Sequence, residues 1–382
     1  MRLAMVTAFP EKDGVVTGGV EGAASCLVEG LRSFPDVQIH VVSPTSSGVA
    51  RKEVREGVTV HWLPMPGGPP FLMYWSRFRK RVHDCLREIA PDVTHFQGVA
   101  GWTLGYRHPY VLTVHGISEK GARYAGGWSG VVKSLVFSVV EGAGRGRSEN
   151  LIVISPYLQE ALSRQLRGER WSIENPVAED LFRVRRGEQG GNILYVGRLS
   201  RLKNVEGVLR SFAKLIARRP EARLVIAGRA ESPAYLALLQ RYVAENGLGH
   251  AVRFPGNLDR ASLLRELARA ACLVLLSRQE TAPMVVEEAM AAGVPVVASR
   301  ICGIPYLVEE GGTGFLVDPD DEDGVASLLG SLLVDAQLNK SLGERSREIA
   351  QERFHSREVA RRTLAVYQAV CNKARSREIP RW

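Results

Sequence analysis

Two carboxylates that could bind a hydroxyl-rich ligand, Glu280 and Glu288, stand eight positions apart in the stretch SRQETAPMVVEEAMAAGVPVVAS, residues 277–299. Glu280 follows an apolar run of strand length, and Glu288 lies inside a predicted short helix. A carboxylate accepts hydrogen bonds but repels a phosphate group. We therefore expect both side chains to accept hydrogen bonds from sugar hydroxyls. Glu287, next to Glu288, is expected to be an ordinary surface glutamate.

The helix that carries Glu288 has clear start and stop signals. Pro283 falls near its first turn, where a missing N–H is tolerated, and Gly293 followed by Pro295 predicts its end. The first N–H groups of a helix have no partner within it, so those of about residues 282–286 should point into the preceding loop. Such groups bind phosphate or sugar oxygens. The ligand-binding residues predicted at this helix start are Ala282, Pro283, Met284 and Val285.

Two cations follow another buried strand, in NILYVGRLSRLKN, residues 192–204. Arg198 comes directly after the strand and Lys203 immediately before an amphipathic helix. A guanidinium offers a planar fork of donors and an ammonium group offers a compact charge. The pair therefore predicts a clamp for phosphate groups that requires no metal. Arg201, between them, is expected to be solvated.

These motifs resemble those of the retaining glycosyltransferases of family four, which have the GT-B fold. The pattern Glu-x7-Glu followed by Ala-Met-Ala-x-Gly-x-Pro is similar to the donor-sugar signature of that family, and Gly-Arg-x4-Lys is similar to its diphosphate-binding motif. The resemblance implies that Glu280 lies near the donor sugar and that Glu288 binds the ribose of the nucleotide. It also implies that Arg198 and Lys203 stabilise the departing diphosphate. It is dense after residue 192 and limited to a few loops before it.

A glycine pair begins the first predicted helix, in Gly18-Gly19-Val20-Glu21. A dinucleotide site needs a G-x-G-x-x-G turn directly after the strand, whereas about eight residues intervene here, which disfavours hydride transfer with NAD. A glycine pair at a helix start still lets a phosphate or an acceptor approach the backbone. The resemblance supports a ligand-binding loop at this place. The glycines predicted to bind the donor are Gly18, Gly19, Gly197 and Gly228.

Two histidines end strands of the first half. His115 follows VLTV at a strand end, and the family often has a histidine there near the donor sugar, so His115 is a catalytic candidate. His95 occupies a similar position on the preceding strand, in DVTHFQG. A lone histidine is more often structural, and we expect that role for His95.

Strands alternate with helices almost throughout, which predicts an α/β protein. The chain of 382 residues exceeds the size at which one core stops growing, so two doubly wound, Rossmann-like domains are expected, facing each other across a deep cleft as in GT-B. The first series of predicted strands is 2–9, 37–43, 58–63, 92–97, 110–115 and 150–155. The second series is 192–196, 222–227, 251–254, 271–276 and 294–298. The predicted divisions are an acceptor-side domain (1–175), a linker (176–191), a donor domain (192–352) and a closing helix that crosses back (353–382).

The composition is that of a globular enzyme, with 45% hydrophobic and 24% charged residues. The net charge of +9 suits anionic ligands or an anionic surface, and no nucleic-acid-binding motif is present. Five scattered cysteines without a CxxC pair indicate a reducing compartment. We expect a cytoplasmic protein, possible contact with the inner membrane surface, and no secretion signal or membrane span. The segment 71–89 has aromatic residues before a basic run, as an interfacial helix has, although a solvated basic face is the preferred interpretation.

The predicted function is transfer of a sugar from a nucleotide-diphosphate sugar to an acceptor hydroxyl, with no cofactor and no obligatory metal. Retention of the anomeric configuration is implied by the resemblance alone. The acceptor class is a sugar, a small molecule or a glycolipid. Two alternatives stay open, namely a catalytically inert nucleotide-sugar-binding subunit and a sugar-nucleotide epimerase of the same fold. One departure from the family is Cys302-Gly303, where a Gly-Gly pair is common, and we expect Cys302 to be a small apolar residue in the floor of the donor pocket.

Overall fold

The chain folds into two compact units, each with its own sheet. The computed structural model describes residues 1–11, 18–65, 77–117, 127–187 and 192–378. The first unit comprises Met1–Pro176 and Ser356–Trp382, and the second comprises Val177–His355. The chain thus leaves the first unit once and returns to it for the last helix.

The sheet of the first unit has eight strands in the order β3-β4-β2-β1-β5-β6-β7-β8. All neighbouring strands are parallel except β3, which pairs with β4 in the antiparallel direction. The strands are β1 (Arg2–Val6), β2 (Gln38–Thr45), β3 (Arg51–Arg55), β4 (Val58–Pro64), β5 (Val93–Gln97), β6 (Tyr110–Val114), β7 (Asn150–Val153) and β8 (Glu169–Ser172).

The sheet of the second unit has six parallel strands in the order β11-β10-β9-β12-β13-β14. The strands are β9 (Asn192–Val196), β10 (Arg223–Ala227), β11 (Val252–Gly256), β12 (Ala270–Leu275), β13 (Val296–Ser299) and β14 (Gly314–Val317). The chain order reverses between β9 and β12, which lie side by side. Ligands of open parallel sheets bind at the carboxyl ends of the strands at such a reversal. The loops that follow β9 and β12 are therefore the ones to examine for a site.

Helices cover the faces of both sheets, because parallel strands that are apolar on both faces must be shielded from water. In the described residues they are α1 (Gly19–Leu31), α2 (Arg79–Ile89), α3 (Gly127–Arg147), α4 (Pro156–Ala161), α5 (Glu179–Phe182), α6 (Val205–Ile216), α7 (Pro233–Glu245), α8 (Arg260–Arg269), α9 (Met284–Ala291), α10 (Glu322–Val334), α11 (Ala336–Arg353) and α12 (Ser356–Glu378). The last helix, α12, packs on α1 in the first unit.

Two separate cores result from this arrangement. In the second unit every residue of β12 is buried, and the apolar face of α6 with Val208 and Phe212 packs in the same core. In the first unit, Leu3 and Met5 of β1 pack with α1 and with Tyr367 of α12. Burial of these continuous apolar strands is the main stabilising contribution in each unit.

The predicted linker at residues 176–191 is where the structure differs most from the expected domain division. Residues 177–187 belong to the second unit, where Leu181 of α5 is fully buried and Val177 forms a β-bridge with His355. The Arg186 guanidinium donates hydrogen bonds to the carbonyls of Ala270, Ala271 and Gly293. The segment is polar in sequence, yet Arg186 bonds backbone carbonyls of the second unit while Arg183 stays exposed. Residues 188–191 lie outside the described part of the chain.

Other boundaries differ by a few residues. The closing helix begins at Ser356 and not at residue 353, since Phe354 is buried in the core of the second unit. The strands β3, β8 and β14 were not expected. Of the segment 71–89, the structure describes only residues 77–89, so the aromatic part of the predicted interfacial helix lies outside it.

Candidate functional site

The loop after β9 is held by a close contact with the loop after β10. Gly228 has φ +137°, and a Cβ at this position would lie 1.8 Å from the carbonyl oxygen of Gly197. Only glycine fits there without moving the backbone. The hydroxyl of Tyr195, which is fully buried, donates a hydrogen bond of 3.0 Å to the carbonyl of Arg198. These contacts fix the backbone of Arg198 at the end of β9.

Lys203 ends a 3₁₀ turn, Arg201–Lys203, that leads into α6. Ser200 caps the turn by accepting a hydrogen bond from the Lys203 N–H. Asn204 then adopts a left-handed conformation (φ 51°) and caps α6 by accepting from the Gly207 N–H. Polar side chains at a cap satisfy N–H groups that the helix leaves unpaired. The backbone of Lys203 is therefore held by two successive caps.

Glu280 meets Lys203 at the reversal between β9 and β12. Its Oε1 forms an ion pair with the Lys203 ammonium group and accepts a hydrogen bond of 2.8 Å from the Ser277 hydroxyl. The Arg278 N–H donates to the Leu202 carbonyl at 2.8 Å, which joins the two loops through their backbones. Glu280 is buried, with 8% of its surface exposed. The structure thus brings together Lys203 and Glu280, which stand far apart in the sequence.

Arg198 and Lys203, the predicted phosphate clamp, differ in their surroundings. The Arg198 side chain is exposed and makes no hydrogen bond or ion pair to the residues that the structure describes. Lys203 is engaged with Glu280, although an ammonium group has three N–H donors and can hold a second oxygen. Arg201 is solvated as expected, with 73% of its side chain exposed.

Helix α9 begins after Pro283, its N-cap, and ends at Ala291, two residues before the left-handed Gly293 (φ 71°). The N–H groups of Met284 and Val285 donate no hydrogen bond to other described residues. The Val286 N–H, in contrast, donates to the Pro283 carbonyl. The expected set of unpaired groups at residues 282–286 is therefore too wide, because the cap closes a turn over Val286.

Glu288 lies one helical turn and more inside α9 and keeps 19% of its side chain exposed. Its Oε1 is 3.5 Å from Nη1 of Arg260, the first residue of α8. Burial raises the pKa of Glu288 to about 7; the positive charge of Arg260 opposes this shift and the negative charge of Asp180 adds to it. The expectation for Glu287 is wrong, because this side chain is completely buried. A helix of eight residues packed on several sides leaves only part of its polar face to solvent.

The backbone at Cys302 and Gly303 contacts the loop that carries Glu280. Cys302 adopts a left-handed conformation (φ 48°), which side chains other than glycine adopt rarely. The next residue, Gly303, donates its N–H to the Glu280 carbonyl at 3.1 Å. The turn at Cys302 thus supports the loop that carries Glu280.

The remaining predicted residues lie in the first unit. Nε2 of His115 donates to Oε1 of Gln97 at 2.5 Å. Burial lowers the pKa of His115 to about 4, and a hydrogen bond with Asn175 partly opposes the shift, so the imidazole is neutral at pH 7. Gly18 caps α1 and Gly19 is its first residue, and a Cβ on either would meet no atom within 4 Å. Residues 12–17 of the same loop lie outside the described chain.

His95 is structural in this unit, as expected. It is completely buried, its Nδ1 lies 2.5 Å from the Tyr367 hydroxyl, and its Nε2 lies 2.6 Å from the Thr113 hydroxyl. Both ring nitrogens are thus used inside the protein.

Sequence reasoning missed five residues that position the site. Tyr195 and Ser277 face it from the ends of strands that were read only as apolar runs, and Arg278 shows its role through its backbone. Arg260 and its partner Asp180 carry no motif at all. Among the described residues, no group of three or more His, Cys, Asp and Glu side chains is arranged to hold a metal ion.

Comparisons with known proteins show the family to which the chain belongs. The sequence model of "Glycosyl transferases group 1" matches residues 178–349, and that of "Glycosyltransferase Family 4" matches residues 17–177. The chain is 32% identical to the glycogen synthase of Mycobacterium tuberculosis over 299 residues, which cover 74% of this chain and 70% of that protein. It is 33% identical to the N-acetyl-alpha-D-glucosaminyl L-malate synthase of Bacillus anthracis over 178 residues, 47% of this chain and 45% of that relative.

The fold is also shared with a solved structure. Sucrose-phosphate synthase from Thermosynechococcus elongatus superposes with a TM-score of 0.80 at 21% identity, covering 97% of this chain and 99% of that one. The chain therefore belongs to the group 1, family-four glycosyltransferases, and the predicted family and GT-B fold class are confirmed. Within the described residues, the helices are too short or too polar to cross a membrane.

Proposed function

We propose that this glycosyltransferase moves a sugar from a nucleoside diphosphate sugar to an acceptor hydroxyl, with retention of the anomeric configuration and without an obligatory metal. The observation that carries the proposal is the meeting of Lys203 and Glu280 where the sheet order reverses, with the start of α9 in the same loop. This arrangement presents cations, unpaired N–H groups and a carboxylate acceptor in one place. A phosphorylated sugar needs all three.

The donor would be divided between these groups according to charge. The diphosphate would lie against Arg198, Lys203 and the N–H groups of Met284 and Val285, since a helix start and cations both attract anions. Glu280 would accept a hydrogen bond from a sugar hydroxyl, and Glu288 would accept from the ribose.

Catalysis would follow from stabilisation of the leaving group. As the bond between the sugar and the diphosphate breaks, negative charge grows on the diphosphate and the sugar carbon gains oxocarbenium character. Arg198 and Lys203 would stabilise that charge where it develops, which is the role that a divalent ion plays in other enzymes. Retention, with attack from the face of the leaving group, is supported by membership of the family. His115, the catalytic candidate of the first unit, is neutral at pH 7 and would act through hydrogen bonds and not through charge.

The identity of the donor is tested by a thermal-shift screen with UDP-glucose, GDP-mannose, ADP-glucose and TDP-glucose. A ligand that binds the folded state raises the melting temperature in proportion to the logarithm of its concentration above Kd. We expect one of the four to stabilise the protein, in the presence of EDTA as well as in its absence. Stabilisation that requires a divalent ion would contradict the metal-free proposal.

The role of the clamp is tested by substitution. Arg198→Ala and Lys203→Ala should each abolish turnover of that donor while the far-UV circular dichroism spectrum stays the same. Arg201→Ala is the matched control, because Arg201 is an exposed cation in the same loop, and it should keep wild-type turnover. Equal turnover in all three variants would remove the clamp from the mechanism.

Donor hydrolysis separates the two alternative functions. A transferase hydrolyses its donor slowly without acceptor, whereas an inert binding subunit releases no nucleotide at all. An epimerase would convert the sugar and release free nucleoside diphosphate only transiently. The acceptor class, a sugar, a small molecule or a glycolipid, then follows from which compound accelerates release. A cytoplasmic location and membrane contact through residues 71–89 remain predictions.

A further inference from the structure

Arg260 connects two carboxylates that come from different helices. It is the first residue of α8, and its Nε donates to Oδ2 of Asp180 at 3.0 Å while Nη2 pairs with the other carboxylate oxygen. Asp180 lies on α5, in the segment that joins the second unit. The third nitrogen, Nη1, lies 3.5 Å from Glu288 on α9. One guanidinium group therefore bridges α5, α8 and α9.

Arg260 contacts Asp180 more closely than it contacts Glu288. Asp180 engages the guanidinium through two adjacent nitrogens, the bidentate arrangement that fixes its plane most strongly. Glu288 contacts only the remaining nitrogen, Nη1, and keeps part of its side chain exposed. Asp180 thus orients Arg260, and Arg260 in turn faces the carboxylate that we propose for the ribose. The free Glu288 oxygen is left to accept hydrogen bonds from a ligand.

We propose that Arg260, oriented by Asp180, is a positioning residue that holds Glu288 in the ionised form needed to accept hydrogen bonds from the ribose of the donor. This proposal rests on the proposed function, since it assigns a positioning residue to Glu288, which we propose binds the ribose. A carboxylate has acceptor capacity on both oxygens, whereas a protonated carboxyl group turns one of them into a donor. Protonation would therefore remove a contact on which donor binding depends.

The electrostatic surroundings of Glu288 support this assignment. Burial raises its pKa to about 7, Arg260 lowers it and Asp180 raises it. For Asp180, burial alone would raise the pKa, but the hydrogen bond and charge of Arg260 outweigh it and the pKa is lowered, so Asp180 stays charged.

Arg260 and Asp180 are the charged side chains that shift the pKa of Glu288. The α5 neighbour Glu179 pairs with Arg183, and Arg347 of α11 donates to the Ala292 carbonyl at the far end of α9. Strand β13, VVAS, carries no titratable group.

Opposite shifts in pH dependence test the proposal. Kd for the stabilising donor among UDP-glucose, GDP-mannose, ADP-glucose and TDP-glucose is measured by calorimetry between pH 5.5 and 9. The diphosphate of a sugar nucleotide is doubly esterified and does not titrate in this range. For the wild type, affinity should fall as the pH drops below about 7, because Glu288 becomes protonated. Glu288→Gln should bind weakly and lose this pH step.

Arg260→Gln should move the midpoint of the step upward by about one pH unit, because the nearby positive charge is lost, and affinity should recover at pH 9. Asp180→Asn should move it downward, because the opposing negative charge is lost. Arg260→Lys should restore part of the wild-type midpoint. Arg253→Gln, which breaks the ion pair between Arg253 of β11 and Glu266 of α8, is the control and should leave the midpoint unchanged.

The outcomes distinguish this inference from the proposed function. Binding of a donor with the same midpoint in all variants, or with midpoints that move in the same direction for Arg260→Gln and Asp180→Asn, overturns the role of Arg260 but leaves donor binding intact. An affinity for Arg260→Gln that is reduced equally at every pH also overturns it, since that is the behaviour of a purely structural residue. Absence of binding of all four donors to the wild type overturns both proposals.

Discussion

At the scale of single residues, the site pairs a cation with a carboxylate. Lys203, proposed to hold the diphosphate, pairs with Glu280, and the Ser277 hydroxyl donates to the same carboxylate oxygen. The pair keeps two charged groups satisfied in a place that is largely buried, where an unpaired charge is costly. The same pairing orients both side chains before the donor arrives.

Glu280→Gln tests this arrangement directly. The amide keeps the shape of the side chain but removes the charge that orients Lys203 and accepts the sugar hydroxyl. We expect kcat to fall about a hundredfold, the range seen when one group that stabilises a transition state is removed, with a small change in KM for the donor. Glu310→Gln, which breaks the exposed Arg300–Glu310 pair of the same unit, should keep wild-type kcat. Equal kcat for both variants would contradict the role of Glu280.

The sequence predicts which residues form the site better than it predicts which of them contact each other. Glu280, Lys203 and Gly228 stand in motifs with fixed spacing, so their type and place in the fold can be inferred. The ion pair, and the bridge from Arg260 to Glu288, join residues from separate elements, and no local pattern encodes such a contact. Glu287 was expected at the surface, but the packing of α9 buries it completely.

At the scale of elements, the site depends on loops that leave parallel strands in close contact. The Gly228 backbone touches the Gly197 carbonyl, and the Arg278 N–H reaches the Leu202 carbonyl. The first contact joins β9 to β10 and the second joins β9 to β12. The loop that carries Arg198 and Lys203 is therefore held from both sides.

Gly228→Ala should destabilise the second unit. The added methyl group would overlap the Gly197 carbonyl at a φ that alanine disfavours, and we expect a loss of about 3 kcal/mol in the free energy of unfolding. Urea denaturation followed by far-UV circular dichroism measures the change. Gly249→Ala is the control, since its Cβ meets no atom and its φ is ordinary, and stability should stay equal or rise by up to about 1 kcal/mol. A Gly228→Ala protein as stable as the wild type would show that the two loops are not locked together.

The elements that the sequence predicts and those it misses differ in burial. Central strands such as β9 and β12 are continuous apolar runs, and α9 has both a proline start and a glycine end, so these were found nearly to the residue. The edge strands β3 (RKEVR) and β8 (ERWS) face solvent and carry the charges typical of edges. Strand β14 has four residues and lies at the edge of the second sheet.

At the scale of the whole molecule, the two units differ in the titratable groups that they contain. The first unit contains the fully buried His95 and the half-buried His115, and desolvation lowers their pKa values to about 3 and about 4. Charge from neighbouring His115 lowers the pKa of His95 further. The second unit holds the carboxylates and cations of the donor site.

The lowered pKa values of His95 and His115 predict that the first unit loses stability in acid. Between pH 6.5 and about 4 the unfolded chain binds protons on both residues and the folded chain does not, so the free energy of unfolding falls as the pH falls. Each histidine contributes up to about 1.4 kcal/mol per pH unit. All six tryptophans belong to the first unit, so urea denaturation followed by tryptophan fluorescence reports this unit alone. His115→Gln should reduce the slope by about one proton, whereas the exposed His108→Gln should not, and a stability independent of pH from 7 to 5 would contradict the prediction.

The most direct test of the central claim, a donor site where β9 and β12 diverge, is a crystal structure with a non-hydrolysable analogue of the stabilising sugar nucleotide. We predict that the diphosphate lies within hydrogen-bond distance of Arg198, Lys203 and the Met284 N–H, with the ribose against Glu288. A nucleotide bound at the other end of this sheet, or in the first unit only, would contradict the account.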